Sequence, residues 1–235
     1  SDVLFLFVAT PSLPNGRYNH TQIDRVVKHL IKYSSPSKTK HIIIGCTTMP
    51  GYCDTVQDRL QPYGYTVSYN PEFIAQGSVI RDLANPDILL IGEGSQSAGE
   101  EIVDIYLSII QNKPTIHRMS RKEAEITKIA LNCFVTTKIA YANMVGDIAK
   151  SSGCSPDLIL DALGSDTRIG KKYLKYGYGY GGPCFPRDNR AFSLFAGDNN
   201  IDAVISKASD AANGLHLKYQ IEEFIENNDM SKSVL

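Results

Sequence analysis

Short apolar runs recur through the first half of the chain, at Val3 to Ala9, His41 to Cys46, Tyr65 to Tyr69, Asp87 to Ile91 and Thr115 to His117. Stretches with apolar residues at helical spacing lie between them, Thr21 to Tyr33 and Ser97 to Ile110 among them. Strands that are apolar at successive positions and alternate with helices predict a mainly parallel sheet covered on both faces. Five strands and their crossovers fill residues 1 to about 118, and the first is expected to be a buried strand that begins abruptly at Ser1.

The pattern changes at Ser120. Ser120-x-x-Glu123 has the form of a capping box, and Ile126, Ile129, Ala130, Cys133, Ala140, Met144 and Ile148 then keep one apolar face until Ser151-Ser152-Gly153. This predicts one helix of roughly thirty residues. Ser155-Pro156 is a good N-cap and first-turn pair for the next helix, which should end near Gly164. A glycine- and tyrosine-rich loop follows from Ser165 to Gly182, and helices over Pro186 to Ala196 and Ala203 to Asn227 finish the chain. The fold class is therefore α/β, a Rossmann-like sheet over residues 1–119 followed by a long helix and an all-helical part over 120–235.

Composition narrows the function. The 235 residues are 43% hydrophobic, with 24 Lys+Arg against 25 Asp+Glu. With no charged block in either direction, this excludes a nucleic-acid footprint or an electrostatic membrane surface. The apolar runs are too short to span a bilayer, and no cationic segment precedes a signal-like core, so a cytoplasmic chain is expected. Cys46, Cys53, Cys133, Cys154 and Cys184 make an odd count without a CxxC pair, which suits neither a disulfide framework nor a metal site.

Candidate chemistry gathers just past the strand ends: Thr10-Pro11, Thr47-Thr48 and Asn70-Pro71-Glu72. Each is an ordinary turn residue taken singly. Three on one edge of a parallel sheet mark the place where open α/β sheets bind ligands. Glu72, held extended by the adjacent Asn-Pro, is a candidate base, or else a first-turn carboxylate favoured by a helix dipole. Lys128 and Asn132 are one turn apart on the long helix, able to grip an oxyanion or to form a solvated stripe. Gly177, Gly179 and Gly182 satisfy GxGxxG, but the match follows Lys171-Lys172-Tyr173-Leu174-Lys175-Tyr176 and precedes two prolines, so it is not a dinucleotide fingerprint. It reads as a loop whose backbone approaches a ligand, with Arg168, Lys171, Lys172 and Lys175 placed to meet a phosphate. Cys184 precedes a helix that opens at Pro186, beside Arg187, a setting that favours a thiolate. Asp188 lies one turn further on, and the remaining cysteines read as small apolar fillers.

Asn70-Pro71-Glu72-Phe73-Ile74, Lys128-Ile129-Ala130-Leu131-Asn132, Asp166-Thr167-Arg168-Ile169-Gly170 and Gly181-Gly182-Pro183-Cys184-Phe185-Pro186-Arg187-Asp188 together resemble the UDP-glucose/GDP-mannose 6-dehydrogenase family of nucleotide-sugar dehydrogenases. The motifs keep the family's order over nearly the whole chain. The resemblance implies an NAD-dependent, four-electron oxidation of the sugar C6 hydroxyl to a carboxylate, with UDP-glucose the favoured substrate. By carry-over Cys184 forms the thiohemiacetal and thioester, Lys128 and Asn132 hold the negative oxygen, Glu72 activates the hydrolytic water, and Thr48 and Asp188 place that water or take up protons. The same mapping puts Phe73, Ile74, Ala75, Gln76, Arg168, Lys175, Tyr178, Gly179, Tyr180 and Gly181 around the nucleotide-sugar. It puts Val8, Thr10, Pro11, Ser12, Thr47, Thr48, Gln76, Cys184 and Arg187 around NAD. Gln76 departs from the family, whose UDP-glucose members commonly have a second glutamate there.

The resemblance further implies that the chain corresponds to the later part of the NAD domain plus the central helical domain, without the true GxGxxG turn or the C-terminal nucleotide domain. It also implies a homodimer through the helical domain. Alternative readings are a folded but catalytically silent piece serving as a dimerisation module, and a GDP-mannose or UDP-N-acetylmannosamine dehydrogenase. A β-hydroxyacid-type Lys-x-x-x-Asn dehydrogenase is a further one, against which the Cys184 motif argues. A cysteine acyl hydrolase is weaker still, because no histidine has an evident place beside Cys184.

Overall fold

A computed structural model describes residues 2–34, 40–74 and 77–229. The chain divides into two compact units after Ile129.

In the first unit, β1 (Val3–Leu6), β2 (Lys40–Ile44), β3 (Tyr65–Tyr69), β4 (Ile88–Gly92) and β5 (Thr115–Met119) form one sheet in that spatial order. The β1–β2, β2–β3 and β4–β5 pairs are parallel, and β3 meets β4 antiparallel at Tyr69 and Gly92. Helices α1 (Thr21–Lys32), α2 (Tyr52–Leu60), α3 (Val79–Ala84) and α4 (Gln96–Leu107) connect the strands, with a 310 turn at Gln61–Tyr63 after α2.

The unbroken apolar runs follow from cover on both faces of the sheet. Ile42, Ile44, Val67 and Leu90 pack with Ile23 and Val27 of α1 and Val56 and Leu60 of α2. Ile43, Leu89 and Ile91, the intervening positions, pack with Ile102 of α4. The two outer strands differ from the expectation of continuous burial. β5 is exposed at Thr115 to Arg118, and in β1 only Leu6 is fully buried, because each strand has a neighbour on one side alone among the described residues.

Helix α5 (Arg121–Ser151) starts in the first unit and runs into the second. Its first turn is the expected capping box: the Ser120 backbone N–H donates to Glu123 at 2.8 Å, and the Glu123 N–H to Ser120 Oγ at 3.3 Å. The apolar stripe is only partly the buried one. Ile129, Cys133 and Ala140 are buried, but Met144 and Ile148 are exposed, and further along Ala142, Asn143, Gly146 and Ala149 turn inward. Over eight turns the true helical period drifts away from a seven-residue apolar spacing, so one stripe does not stay on one face.

In the second unit α6 (Pro156–Ser165), α7 (Phe185–Asp198) and α8 (Val204–Asn227) accompany the rest of α5. Ser155 caps α6 by accepting from the Leu158 N–H. Ala142, Leu160 and Leu174 form a small core there, joined by Val145 and Tyr176. Among the described residues no helix is long and apolar enough to cross a membrane.

Candidate active site

The parallel register of β1, β2 and β3 brings their carboxyl ends to one edge, and hydrogen bonds lace the loops that leave it. Gly45 N–H donates to the Leu6 carbonyl at 3.0 Å, Asn70 N–H to the Ile44 carbonyl at 2.9 Å, and Thr10 Oγ to the Thr47 carbonyl at 2.8 Å. Thr10 is buried, Val8 and Thr47 are half-buried, and Pro11 and Ser12 stand exposed. His20 props the second loop: its Nε2 accepts the Met49 N–H at 3.2 Å, and its ring stacks on Tyr52 with centroids 3.7 Å apart. Burial pushes the His20 imidazole down to about 4 despite Asp24 nearby, so the neutral ring that this bond requires is the stable one.

Thr48 is fully buried and donates to Glu125 of α5 at 2.7 Å. Glu125, also fully buried, accepts in addition from the N–H groups of Gly51 at 2.6 Å and Cys53 at 2.9 Å. A carboxylate from one helix thus caps the open amino end of α2, where the backbone has no acceptor of its own. Burial raises the Glu125 carboxyl, and these hydrogen bonds pull the other way.

Glu72 is half-buried and its carboxyl is raised above the usual range, by burial first and against the opposing pull of Lys128. Lys128, buried on α5, donates through Nζ to the Glu72 backbone carbonyl at 2.5 Å and lies 4.4 Å from the centroid of the Phe73 ring. A lysine and a basic carboxylate are therefore fixed together by one short segment of chain. Ile74 is exposed, and Ala75 and Gln76 lie outside the described residues.

In the second unit Cys184 is exposed at the residue preceding α7. Asp188, one turn on, is fully buried; its two oxygens accept from Asn132 Nδ2 at 2.7 Å and from Arg187 Nε at 2.9 Å. Asn132 is thus tied to the first turn of the helix that carries the thiol. The filler reading holds for the buried Cys53 and Cys133, the latter pushed by burial to about 12. It fails for Cys154, which is exposed in the turn between α5 and α6 and has little apolar contact to offer. Arg168 is exposed and forks onto Asp166, with Nη2 at 2.6 Å from Oδ2, and Lys175 and Gly181 are exposed as well. Tyr178 projects into solvent at 92% exposure, Gly179 is half-buried and Tyr180 is buried.

Residues 1–110 match the NAD binding domain of the UDP-glucose/GDP-mannose dehydrogenase family, and residues 122–214 match its central domain. The chain belongs to this family. NAD is accordingly the cofactor of its first domain. The UDP-glucose 6-dehydrogenase of Pseudomonas aeruginosa is 31% identical over 222 residues, which cover 91% of this chain and 48% of that protein. YwqF of Bacillus subtilis, also a UDP-glucose 6-dehydrogenase, is 29% identical over 214 residues, 88% of this chain and 47% of that one. The UDP-glucose dehydrogenase structure from Pyrobaculum islandicum superposes with a TM-score of 0.83 at 30% identity, over 92% of this chain and 50% of that one. The UDP-D-ManNAc dehydrogenase structure from Pyrococcus horikoshii shares the fold, with a TM-score of 0.81 at 20% identity. The chain spans about half the length of the curated relatives it matches.

Sequence reasoning missed several residues that shape this family member's candidate site. Glu125, Asn143, Asp147, Asn213 and His216 lie on helix faces that hold other buried polar residues, such as Lys128 near Glu125 and Ser206 and Ser209 on the side of His216, so no break in an apolar stripe marks them in the sequence.

Proposed function

We propose that this chain carries the central catalytic residues of an NAD-dependent nucleotide-sugar 6-dehydrogenase, with UDP-glucose as the substrate. Two observations carry the reading, one in each unit: Lys128 bonds the Glu72 segment in the first, and Asn132 bonds Asp188 in the first turn of the helix that Cys184 precedes in the second. The names of the matched relatives favour UDP-glucose among the nucleotide-sugars.

The loops at Thr10 to Ser12 and at Thr47, fixed to each other by the Thr10 to Thr47 bond, leave the exposed Ser12 and the half-buried Thr47 to meet a dinucleotide, whereas the buried Thr48 hydroxyl is engaged by Glu125 and acts through the loop it fixes. NAD held there would supply the acceptor of one hydride in each oxidation, with a second NAD replacing the first as NADH leaves. Once the C6 alcohol has become an aldehyde, Cys184 Sγ as a thiolate adds to C6, forming the S–C bond and leaving the carbonyl oxygen negative. Lys128 and Asn132 stabilise that oxygen with an ammonium and an amide N–H. The second oxidation leaves C6 as a thioester. Glu72, a carboxylate made more basic by burial, then takes a proton from water as the water oxygen bonds C6, and the C–S bond breaks to return the thiolate. Asp188 acts through Asn132, keeping its amide aimed by the 2.7 Å bond.

The second copy of the chain is the proposed partner. Phe134, Tyr141 and Ile148 recur at every seventh position of α5 and are 67%, 50% and 58% exposed, the spacing of a seam between two helices. The reading is tested by NADH formation from NAD with UDP-glucose, GDP-mannose and UDP-N-acetylmannosamine in turn. UDP-glucose is expected to react fastest and Cys184→Ala to abolish turnover; equal turnover in that variant refutes the thioester route.

A further inference from the structure

The glycine-rich loop over residues 176–180 is held from its inner side by side chains that the proposed chemistry does not use. Asn143 of α5 accepts the Gly177 N–H at 3.1 Å and donates to the Tyr178 carbonyl at 3.3 Å. Asn213 of α8 does the same for one residue, accepting the Tyr180 N–H at 2.8 Å and donating to the Tyr180 carbonyl at 2.9 Å. His216 of α8 donates from Nε2 to the Gly177 carbonyl at 2.7 Å, and its Nδ1 lies 2.9 Å from Asp147 Oδ2. Tyr176 anchors the start: its hydroxyl donates to the same Asp147 at 2.9 Å, and its ring occupies the space where a side chain at Gly146 would be.

A segment with glycine at 177, 179, 181 and 182 has no conformational preference strong enough to hold it in one shape. Here two amide side chains and an imidazole, themselves on helices, hold five backbone groups of three residues. The opposite side is open: a Cβ built at Gly177 or Gly181 meets nothing within 4 Å, and Tyr178 reaches outward. Packing does not demand glycine at either position, nor does a positive φ.

We propose that Asn143, Asn213 and His216 are positioning residues that hold the 177–180 backbone in its ligand-ready shape before any nucleotide-sugar arrives, without touching the nucleotide-sugar themselves. The inference rests on the reading that this loop faces the substrate. Its physical content is preorganisation: if the helices order the loop in advance, that ordering is not charged against binding.

The test combines amide exchange with calorimetric titration. In the unsubstituted, ligand-free chain the Gly177 and Tyr180 amides should be protected from exchange; unprotected amides overturn the proposal before any variant is made. Asn213→Asp keeps the size and one acceptor but sets a second acceptor against the Tyr180 carbonyl. It and His216→Phe should speed exchange of the loop amides and weaken UDP-glucose affinity at least tenfold, with the affinity for NAD unchanged. His216→Gln, which retains an N–H donor, should recover part of the loss. Folded variants with unaltered UDP-glucose affinity overturn the proposal, as does an equal loss for both ligands. An unsubstituted chain that has protected loop amides and no affinity for UDP-glucose instead defeats the dehydrogenase reading, and the ligand assignment with it.

Discussion

Gly179→Ala isolates the tightest point of the loop. The backbone at 179 lies outside the left-handed region, so alanine is tolerated conformationally, but its Cβ would lie 2.5 Å from Asn213 Oδ1 and 3.2 Å from Cγ. The clash is relieved only if the Asn213 amide leaves, and with it go its two hydrogen bonds to Tyr180. At about 1 kcal/mol net for each bond, the loss is about 2 kcal/mol. The lower chain entropy of unfolded alanine returns roughly 0.4–1 kcal/mol. A net destabilisation of about 1–2 kcal/mol is expected. Gly177→Ala is the control, since its Cβ meets nothing within 4 Å, and it should be neutral or slightly stabilising. Urea denaturation followed by circular dichroism measures both, with the midpoint falling and the slope unchanged for Gly179→Ala. In an Asn213→Ala background, where the bonds are already gone, Gly179→Ala should cost little. Equal midpoints for Gly179→Ala and Gly177→Ala in the native background would refute the reasoning.

Other consequences are as direct. The folded chain refuses a proton at His20 until about pH 4, whereas the unfolded chain takes it up near 6.5, so stability falls as pH drops through that window, by on the order of 3 kcal/mol from this group. Urea midpoints at several pH values should show the slope reduced in His20→Gln; an unchanged slope argues against the buried neutral ring. Glu125→Gln sets an amide N–H₂ against N–H and O–H donors at the start of α2 and should cost on the order of 3 kcal/mol, read as a lower denaturation midpoint. Phe134→Glu places charge in the proposed seam of α5, and sedimentation velocity should show a shift from dimer to monomer.

The sheet and the long helix were legible because their signals are local. Apolar runs such as His41 to Cys46 lie in the centre of the sheet, and Ser120-x-x-Glu123 announces α5 by its own hydrogen bonds. The outer strands were less so: exposure in β1 and β5 depends on which strands lie beside them, not on their own residues. Met144 and Ile148 continue the apolar stripe in sequence yet are exposed, because a short window cannot register helical drift over α5. Of the candidate site, Lys128 with Glu72 and Asn132 with Asp188 are each brought into hydrogen-bonding contact, 56 residues apart in the chain in both cases. Their supports were invisible for the opposite reason. Glu125 and His216 are ordinary helix residues in sequence, and only the fold reveals that one faces the end of α2 and the other a loop carbonyl.

The dehydrogenase assignment is tested most directly by counting NADH against nucleotide-sugar consumed. Incubation of the chain with NAD and limiting UDP-glucose should yield two NADH per sugar oxidised to the acid, and Cys184→Ala should yield none. Two NADH per sugar from Cys184→Ala would contradict the account.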